Sequence, residues 1–225
     1  MAINLTTTSE AARMRGVKVL VYGDAGVGKT RLCATAPTPV IISAEAGLLS
    51  LRDIELPVIT VAGINDLSEA YSFLAESADA KQFETICLDS LSEIAETCLI
   101  AEKAVQTDPR KHYPEMVQRT TALVRAFRDL HKHVYFSAKA ERQTDDTMRT
   151  SFQPSMPGQK LGPSLPYLFD EVFALRASLD AEGVLQRTLQ TQPDSAYQAK
   201  DRSGALDMYE QPDLAAIIAK ITGAK

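Results

Sequence analysis

The sequence has no tryptophan, only three cysteines and three histidines, and no excess of positive charge. Missing tryptophan excludes nothing by itself. Cys33, Cys87 and Cys98 sit in apolar or helix-like stretches and lack metal-ligand spacing, and His112, His131 and His133 do not complete a zinc motif with them. A disulfide scaffold and a zinc module are therefore excluded, and buried thiols in a reducing cytoplasm are expected. Net charge is −5. That excludes a uniformly basic surface that coats nucleic acid, but not a local basic groove. No apolar run approaches the length of a membrane span. The polar, threonine-rich start, residues 1–10, lacks the basic-then-apolar order of a secretion signal. A cytoplasmic protein with no membrane contact is expected. Internal repeats and low-complexity linkers are also missing.

What is present is a chain of 225 residues, 45% hydrophobic, enough for one sizeable α/β core. Its most specific stretch is Gly23-Asp24-Ala25-Gly26-Val27-Gly28-Lys29-Thr30, a complete G-x-x-x-x-G-K-[ST] motif. An apolar run, Val17 to Tyr22, precedes it and a helix-like segment, Lys29 to Ala36, follows. Strand, glycine loop and helix form the context of a phosphate site. Backbone N–H groups turned inward by the glycines surround phosphate oxygens, and the helix start adds partial positive charge. Lys29 can reach the β- and γ-phosphates of a bound nucleotide, and the Thr30 hydroxyl can hold Mg²⁺. Arg31 completes the candidate nucleotide-binding set.

Apolar runs at Val17–Tyr22, Val40–Ser43, Pro57–Val61, Thr85–Asp89, His133–Ala138 and Glu171–Leu175 alternate with helix-like segments at Asn65–Ser77, Leu91–Val105 and Pro114–His131. The alternation predicts a mostly parallel twisted sheet with helices on both faces. Asn65 and Ser68 are both candidate caps of the first helix. Val184–Gln192 reads as a further strand, and Pro212–Ile221 as a terminal helix with apolar residues at helical spacing. Residues 1–15 are expected to be an N-terminal extension, and 16–225 one ATPase domain. Two polar segments, Gln106–Pro114 and Ala140–Pro166, read as loops. A loop as long as the second, in a compact domain, is usually functional or disordered.

The strand Thr85–Asp89 ends in the acid that a phosphate loop needs for its metal, so Asp89 is the candidate second Mg²⁺ residue; capping the next helix is the alternative role. Glu45, just beyond the strand Val40–Ser43, is the candidate for orienting or deprotonating water, because ligands bind at the carboxyl ends of strands in open α/β sheets. Capping or simple solvation is the alternative there.

In this order, Ala44-Glu45-Ala46-Gly47-Leu48 and Leu88-Asp89-Ser90-Leu91 after the phosphate loop resemble the RecA-type recombination ATPases. The resemblance runs from about Gly16 to Ile221, with Pro157-Gly158-Gln159-Lys160, Phe169-Asp170-Glu171-Val172 and Ala199-Lys200-Asp201-Arg202 in support; only the phosphate loop is specific alone. It implies a RecA-like P-loop fold and an activating Glu45. It also implies a phosphate sensor after the strand His133–Ala138. The family usually has Gln there, whereas this chain offers Lys139. Lys200-Asp201-Arg202-Ser203-Gly204 is similar to the Lys-Asn-Arg-x-Gly element of RadA-type and hexameric-helicase relatives. That similarity implies that Lys200 and Arg202 reach a neighbouring subunit's nucleotide in a ring or filament. Taken together these stretches resemble the short phage RecA-like ATPases of single-strand annealing. This implies a DNA-dependent ATPase that binds single-stranded DNA through the 140–166 loop, with Arg142, Arg149 and Lys160 on phosphates and Phe152 on bases. Gln106–Pro114 would be a secondary loop, and a single-strand-binding protein a further partner. A RecA-like helicase motor, a regulatory ATPase and a P-loop kinase with 140–166 as lid remain alternatives. A GTPase is disfavoured: Ser137-Ala138-Lys139 mimics a guanine loop, but no Asn-Lys-x-Asp and no Asp-x-x-Gly after the Asp89 strand occurs.

Overall fold

The computed structural model describes residues 5–8, 10, 15–45, 47–146 and 148–223. Of the expected extension 1–15, residues 1–4, 9 and 11–14 lie outside the described residues, as does Ala46 of the resemblance stretch.

The strands are β1 (Lys18–Gly23), β2 (Pro39–Ser43), β3 (Val58–Thr60), β4 (Thr85–Asp89), β5 (His133–Thr144), β6 (Thr150–Pro154), β7 (Glu171–Leu179), β8 (Leu185–Gln190), β9 (Lys200–Asp201) and β10 (Tyr209–Glu210). The helices are α1 (Lys29–Leu32), α2 (Ile64–Glu76), α3 (Leu91–Val105), α4 (Pro109–Arg128), α5 (Leu161–Ser164) and α6 (Leu214–Thr222). Sheet order is β10-β8-β7-β1-β5-β4-β2-β3, with β6 on β5 and β9 on β7. From β7 to β3 every neighbour is parallel, whereas β8, β9 and β10 add antiparallel partners.

The parallel strands are apolar on both faces because both are covered. On one face Leu20, Tyr22, Ile42, Leu88 and Phe136 meet α2, α3 and α4 through Leu67, Ala70, Ile94, Cys98, Val124 and Phe127. On the other, Val19, Val21, Ile41 and Leu175 meet Leu32 of α1 and Leu214, Ile217 and Ile218 of α6. The mostly parallel α/β sheet with helices on both faces is thus as the sequence predicts. Edge-to-face pairs fix the first layer: Phe136 on Phe169 at 5.1 Å, and Tyr71 on Phe127 at 5.4 Å. Each such pair contributes about 0.5–1.5 kcal/mol beyond its buried area.

Several local expectations change. The helix after the phosphate loop is one α turn followed by a 3₁₀ turn, Cys33–Thr35, because Pro37 holds Ala36 extended. The cap of α2 is Gly63, not Asn65 or Ser68, since the Asp66 carboxylate accepts the Ala62 and Gly63 amides at 2.7 and 3.1 Å. Of Gln106–Pro114 only residues 106–108 are loop, and the rest is helix. Pro109 occupies the first turn of α4 and Asp108 caps it, accepting the Arg110 amide at 3.1 Å. Nor is 140–166 structureless: β5 runs on past the sheet to Thr144 and pairs antiparallel with β6. The hairpin strands are mostly polar and exposed or half-buried, so they carry no apolar run that would mark them.

Candidate functional site

The parallel register brings the sequence-marked residues to one edge. Ser43 of β2 is level with Asp89 of β4, and the Ala44 amide donates to the Asp89 carbonyl at 2.8 Å. β5 lies between β4 and β1, which places Gly23 level with Lys139. A Cβ on Gly23 would stand 2.6 Å from the Leu175 carbonyl oxygen of β7, so only glycine fits where the phosphate loop leaves the sheet. Gly28 has φ +111°, a conformation that L side chains rarely adopt, and it turns the chain into α1.

Asp89 is buried, and both of its oxygens are engaged: Oδ2 accepts the Thr30 hydroxyl at 2.6 Å, and Oδ1 accepts the Ser137 hydroxyl. The Asp89–Ser90 peptide is cis. The Ser90 hydroxyl donates to the Glu45 carboxylate, and the Ser43 hydroxyl donates to the Glu45 carbonyl at 2.5 Å. Ser90, not Asp89, is the cap of α3. Lys29 Nζ donates to the Gly23 and Asp24 carbonyls, both at 2.8 Å. Burial lowers the Lys29 pKa, opposed by the negative charges of Asp89, Glu45 and Asp24; the Lys139 charge adds to the lowering. Lys29, Thr30, Glu45, Asp89 and Lys139 therefore share one electrostatic neighbourhood. Lys139 donates to Glu93 at 2.9 Å, and that bond raises its pKa. Arg31 lies to the side, donating to the Ser50 carbonyl at 3.0 Å.

The donor set fits a hard divalent cation: a hydroxyl and a buried carboxylate touch at the mouth of a loop of backbone amides. Thr30 and Asp89 would hold Mg²⁺ there, with the phosphates of ATP along Gly23–Lys29.

Lys200 and Arg202 are not brought to this edge. Lys200 opens β9 and Arg202 follows it, and β9 is level with the start of β7, at the opposite end of the sheet. Lys200 donates to the Pro166 and Phe169 carbonyls at 2.8 and 2.6 Å, and burial lowers its pKa, helped by the Arg202 charge. Arg202 pairs with Asp170 at 2.9 Å. Arg142 and Arg149 are exposed on the β5–β6 hairpin, and Lys160 is exposed beyond it. Phe152 is not a free aromatic at a loop tip. Its ring stacks on Tyr197 at 4.8 Å, and its carbonyl accepts the Tyr22 hydroxyl at 3.0 Å. It anchors the base of the hairpin.

Three contributors escape a reading of the sequence. Ser137 and Ser90 look like ordinary strand-end serines until the strand order sets them beside Asp89 and Glu45. Arg187 of β8 donates through Nε to the Val27 carbonyl at 2.9 Å, across 160 residues of chain, and no local pattern signals it.

This fold and this edge define a P-loop ATPase. The chain belongs to the AAA domain family, which it matches over residues 15–203. It is also similar to the solved KaiC-like protein PH0186 from the hyperthermophilic archaeon Pyrococcus horikoshii OT3. That similarity is 16% in identity, covers 78% of this chain and 77% of that one, and has a TM-score of 0.45. No curated protein matches the chain. Among the described residues no helix is long and apolar enough to cross a membrane.

Proposed function

We propose that this chain is a RecA-like, cytoplasmic ATPase that hydrolyses ATP, binds single-stranded DNA and promotes annealing or strand pairing. The observation that carries the ATPase reading is the Thr30–Asp89 contact at 2.6 Å with Glu45 poised on Ser90 beside it. Bound ATP with Mg²⁺ supplies the electrophilic phosphoryl group. Lys29 offers its ammonium to phosphate oxygens in place of the loop carbonyls. Glu45 accepts the proton of the attacking water, and Ser90 orients its carboxylate. Lys139 senses the terminal phosphate by exchanging Glu93 for it. Lys200 and Arg202 complete the site of the next subunit in a ring or filament.

Support for DNA as the partner is the β5–β6 hairpin. It continues the strand that separates the phosphate-loop strand from Asp89, and it presents Arg142 and Arg149 outward. With Lys160 they would contact phosphates, so affinity falls as salt rises. Phe152 serves by holding the hairpin through Tyr197 rather than by stacking on bases. A single-strand-binding protein is a further partner in this reading.

The test is ATP turnover with and without single-stranded DNA, with particle size followed in parallel. Stimulated turnover and larger particles are expected, together with faster pairing of complementary strands and no unwinding of a tailed duplex. Lys29→Ala should abolish nucleotide binding, and unchanged affinity would remove the phosphate-loop assignment. Turnover indifferent to DNA would overturn the DNA reading, and unwinding would replace it with a motor.

A further inference from the structure

Arg187 is an unusual place to spend a guanidinium. It lies on β8, opposite Ala177 of β7, at a level where both strands have left the buried part of the sheet. Two residues further along β8, Leu189 packs in the same apolar layer as Val27 and Leu175. Residues two apart on a strand share a face, so Arg187 projects over the phosphate loop rather than away from it. Its Nε donates to the Val27 carbonyl at 2.9 Å, and a Cβ on Gly28 would stand 3.4 Å from Nε and 3.5 Å from Cδ. Among the described residues no carboxylate lies within ion-pair distance of it. A permanent positive charge is thus held beside the phosphate loop by a hydrogen bond to the loop's own backbone.

We infer that Arg187 is a nucleotide-binding residue contributed by the same chain: Nε holds the phosphate loop at Val27, and the terminal nitrogens engage the polyphosphate of a bound nucleoside di- or triphosphate. The inference rests on the phosphate-loop reading above and adds a residue that the loop motif does not contain. It also gives the antiparallel strands a role. Their register delivers a cation to the loop from the side opposite Asp89, since β7 and β8 flank β1 on one side and β4 lies on the other. Guanidinium suits this task because it can keep one bond to a carbonyl and still present a planar pair of donors to phosphate oxygens.

Arg187→Gln separates the two roles. The glutamine amide nitrogen falls at the position of the arginine Nε, so the bond to Val27 is retained while the charge and the terminal nitrogens are removed. Dissociation constants for ADP and a non-hydrolysable ATP analogue, both with Mg²⁺, should rise by roughly ten- to hundredfold in Arg187→Gln. Arg187→Lys should lie between that variant and the parent. The thermal midpoint without nucleotide should be unchanged in Arg187→Gln, showing that the loss is one of binding. Wild-type affinity in Arg187→Gln would overturn the inference and leave Arg187 as a clamp on the loop; so would a loss matched by an equal fall in nucleotide-free stability. If the unaltered protein binds no nucleotide, or Lys29→Ala binds as well as it does, the phosphate-loop reading fails and the Arg187 assignment fails with it. Tight binding by the unaltered protein together with wild-type Arg187→Gln affinity condemns Arg187 alone.

Discussion

Replacing Glu171 by Gln should make the protein more stable at alkaline pH and leave it nearly unchanged at acid pH. Glu171 opens β7 and is only 1% exposed. Its Oε1 accepts the Ser203 amide at 3.2 Å, and it sits level with Asp201 across the β7–β9 ladder. Among the described residues Oε2 has no hydrogen-bond partner. Asp201 accepts the Ser203 hydroxyl at 2.6 Å and the Gly204 and Leu206 amides at 2.8 and 3.1 Å, so it is the member of the pair that keeps its charge. Burial, followed by the Asp201 charge, pushes the Glu171 pKa from 4.5 up to about 7. The folded state therefore holds a proton that the unfolded chain has released between those two values. Stability from this group is fully present below pH 4.5, falls as pH rises, and is lost above about 7. At about 1.4 kcal/mol per pH unit, the loss approaches about 3 kcal/mol as an upper value. A glutamine retains the acceptor for Ser203, places a permanent donor toward Asp201, and does not titrate. Urea unfolding of both proteins at about pH 4 and about pH 8.5 measures the difference. The variant should match the parent at the lower pH and exceed it by up to about 3 kcal/mol at the higher. A stability difference that does not change with pH would refute the assignment of a retained proton to Glu171.

Two further outcomes test the reaction and the assembly. Glu45→Gln should bind ATP normally and lower single-turnover hydrolysis by about a hundredfold or more; unimpaired hydrolysis would remove Glu45 from the chemistry. Arg202→Ala should fold, since a surface pair such as Arg202–Asp170 contributes only about 0–1 kcal/mol. Mixed with Lys29→Ala, it should regain part of the lost turnover, because mixed neighbours can pair an intact Lys29 with an intact Arg202. No recovery at any ratio would confine Arg202 to the turn that it braces.

What was legible in the sequence was whatever depends on neighbours along the chain. Gly23–Thr30 is a contiguous motif, Leu91–Val105 is a helix bounded by Ser90 and a polar end, and Thr85–Asp89 is an apolar run closed by an acid; all three are found where the pattern puts them. Glu45 was readable because it follows a strand that must end at the ligand edge. The hairpin β5–β6 was not, because it leaves the core and its strands need no apolar face. The early start of α4 was hidden by the second proline: Pro114 looks like a helix start, yet Asp108 and Pro109 had already begun one. Ser137 and Arg187 were hidden for a different reason. Their meaning comes from strand order, and Arg187 meets Val27 only because an antiparallel pair is appended beyond β7.

Strand order also decides what Arg202 can do. Along β1, Val19 is level with Glu171 and, through it, with Asp201, whereas the phosphate loop departs from Gly23. Four residues of strand separate those levels, about 13 Å at the usual rise. An arginine that also spends its guanidinium on Asp170 cannot span that distance to its own Lys29. A role for Arg202 in hydrolysis therefore requires a second copy whose phosphate-loop edge meets this chain's opposite edge. Such a contact joins two different surfaces, so it is heterologous and propagates into a closed ring or an open filament rather than a two-fold dimer. Arg187 differs in kind: it reaches the loop within one chain. Loss of Arg187 should weaken nucleotide binding at any protein concentration, whereas loss of Arg202 should affect turnover only where subunits associate. Binding by dilute protein and turnover by concentrated protein thus report on the two arginines separately.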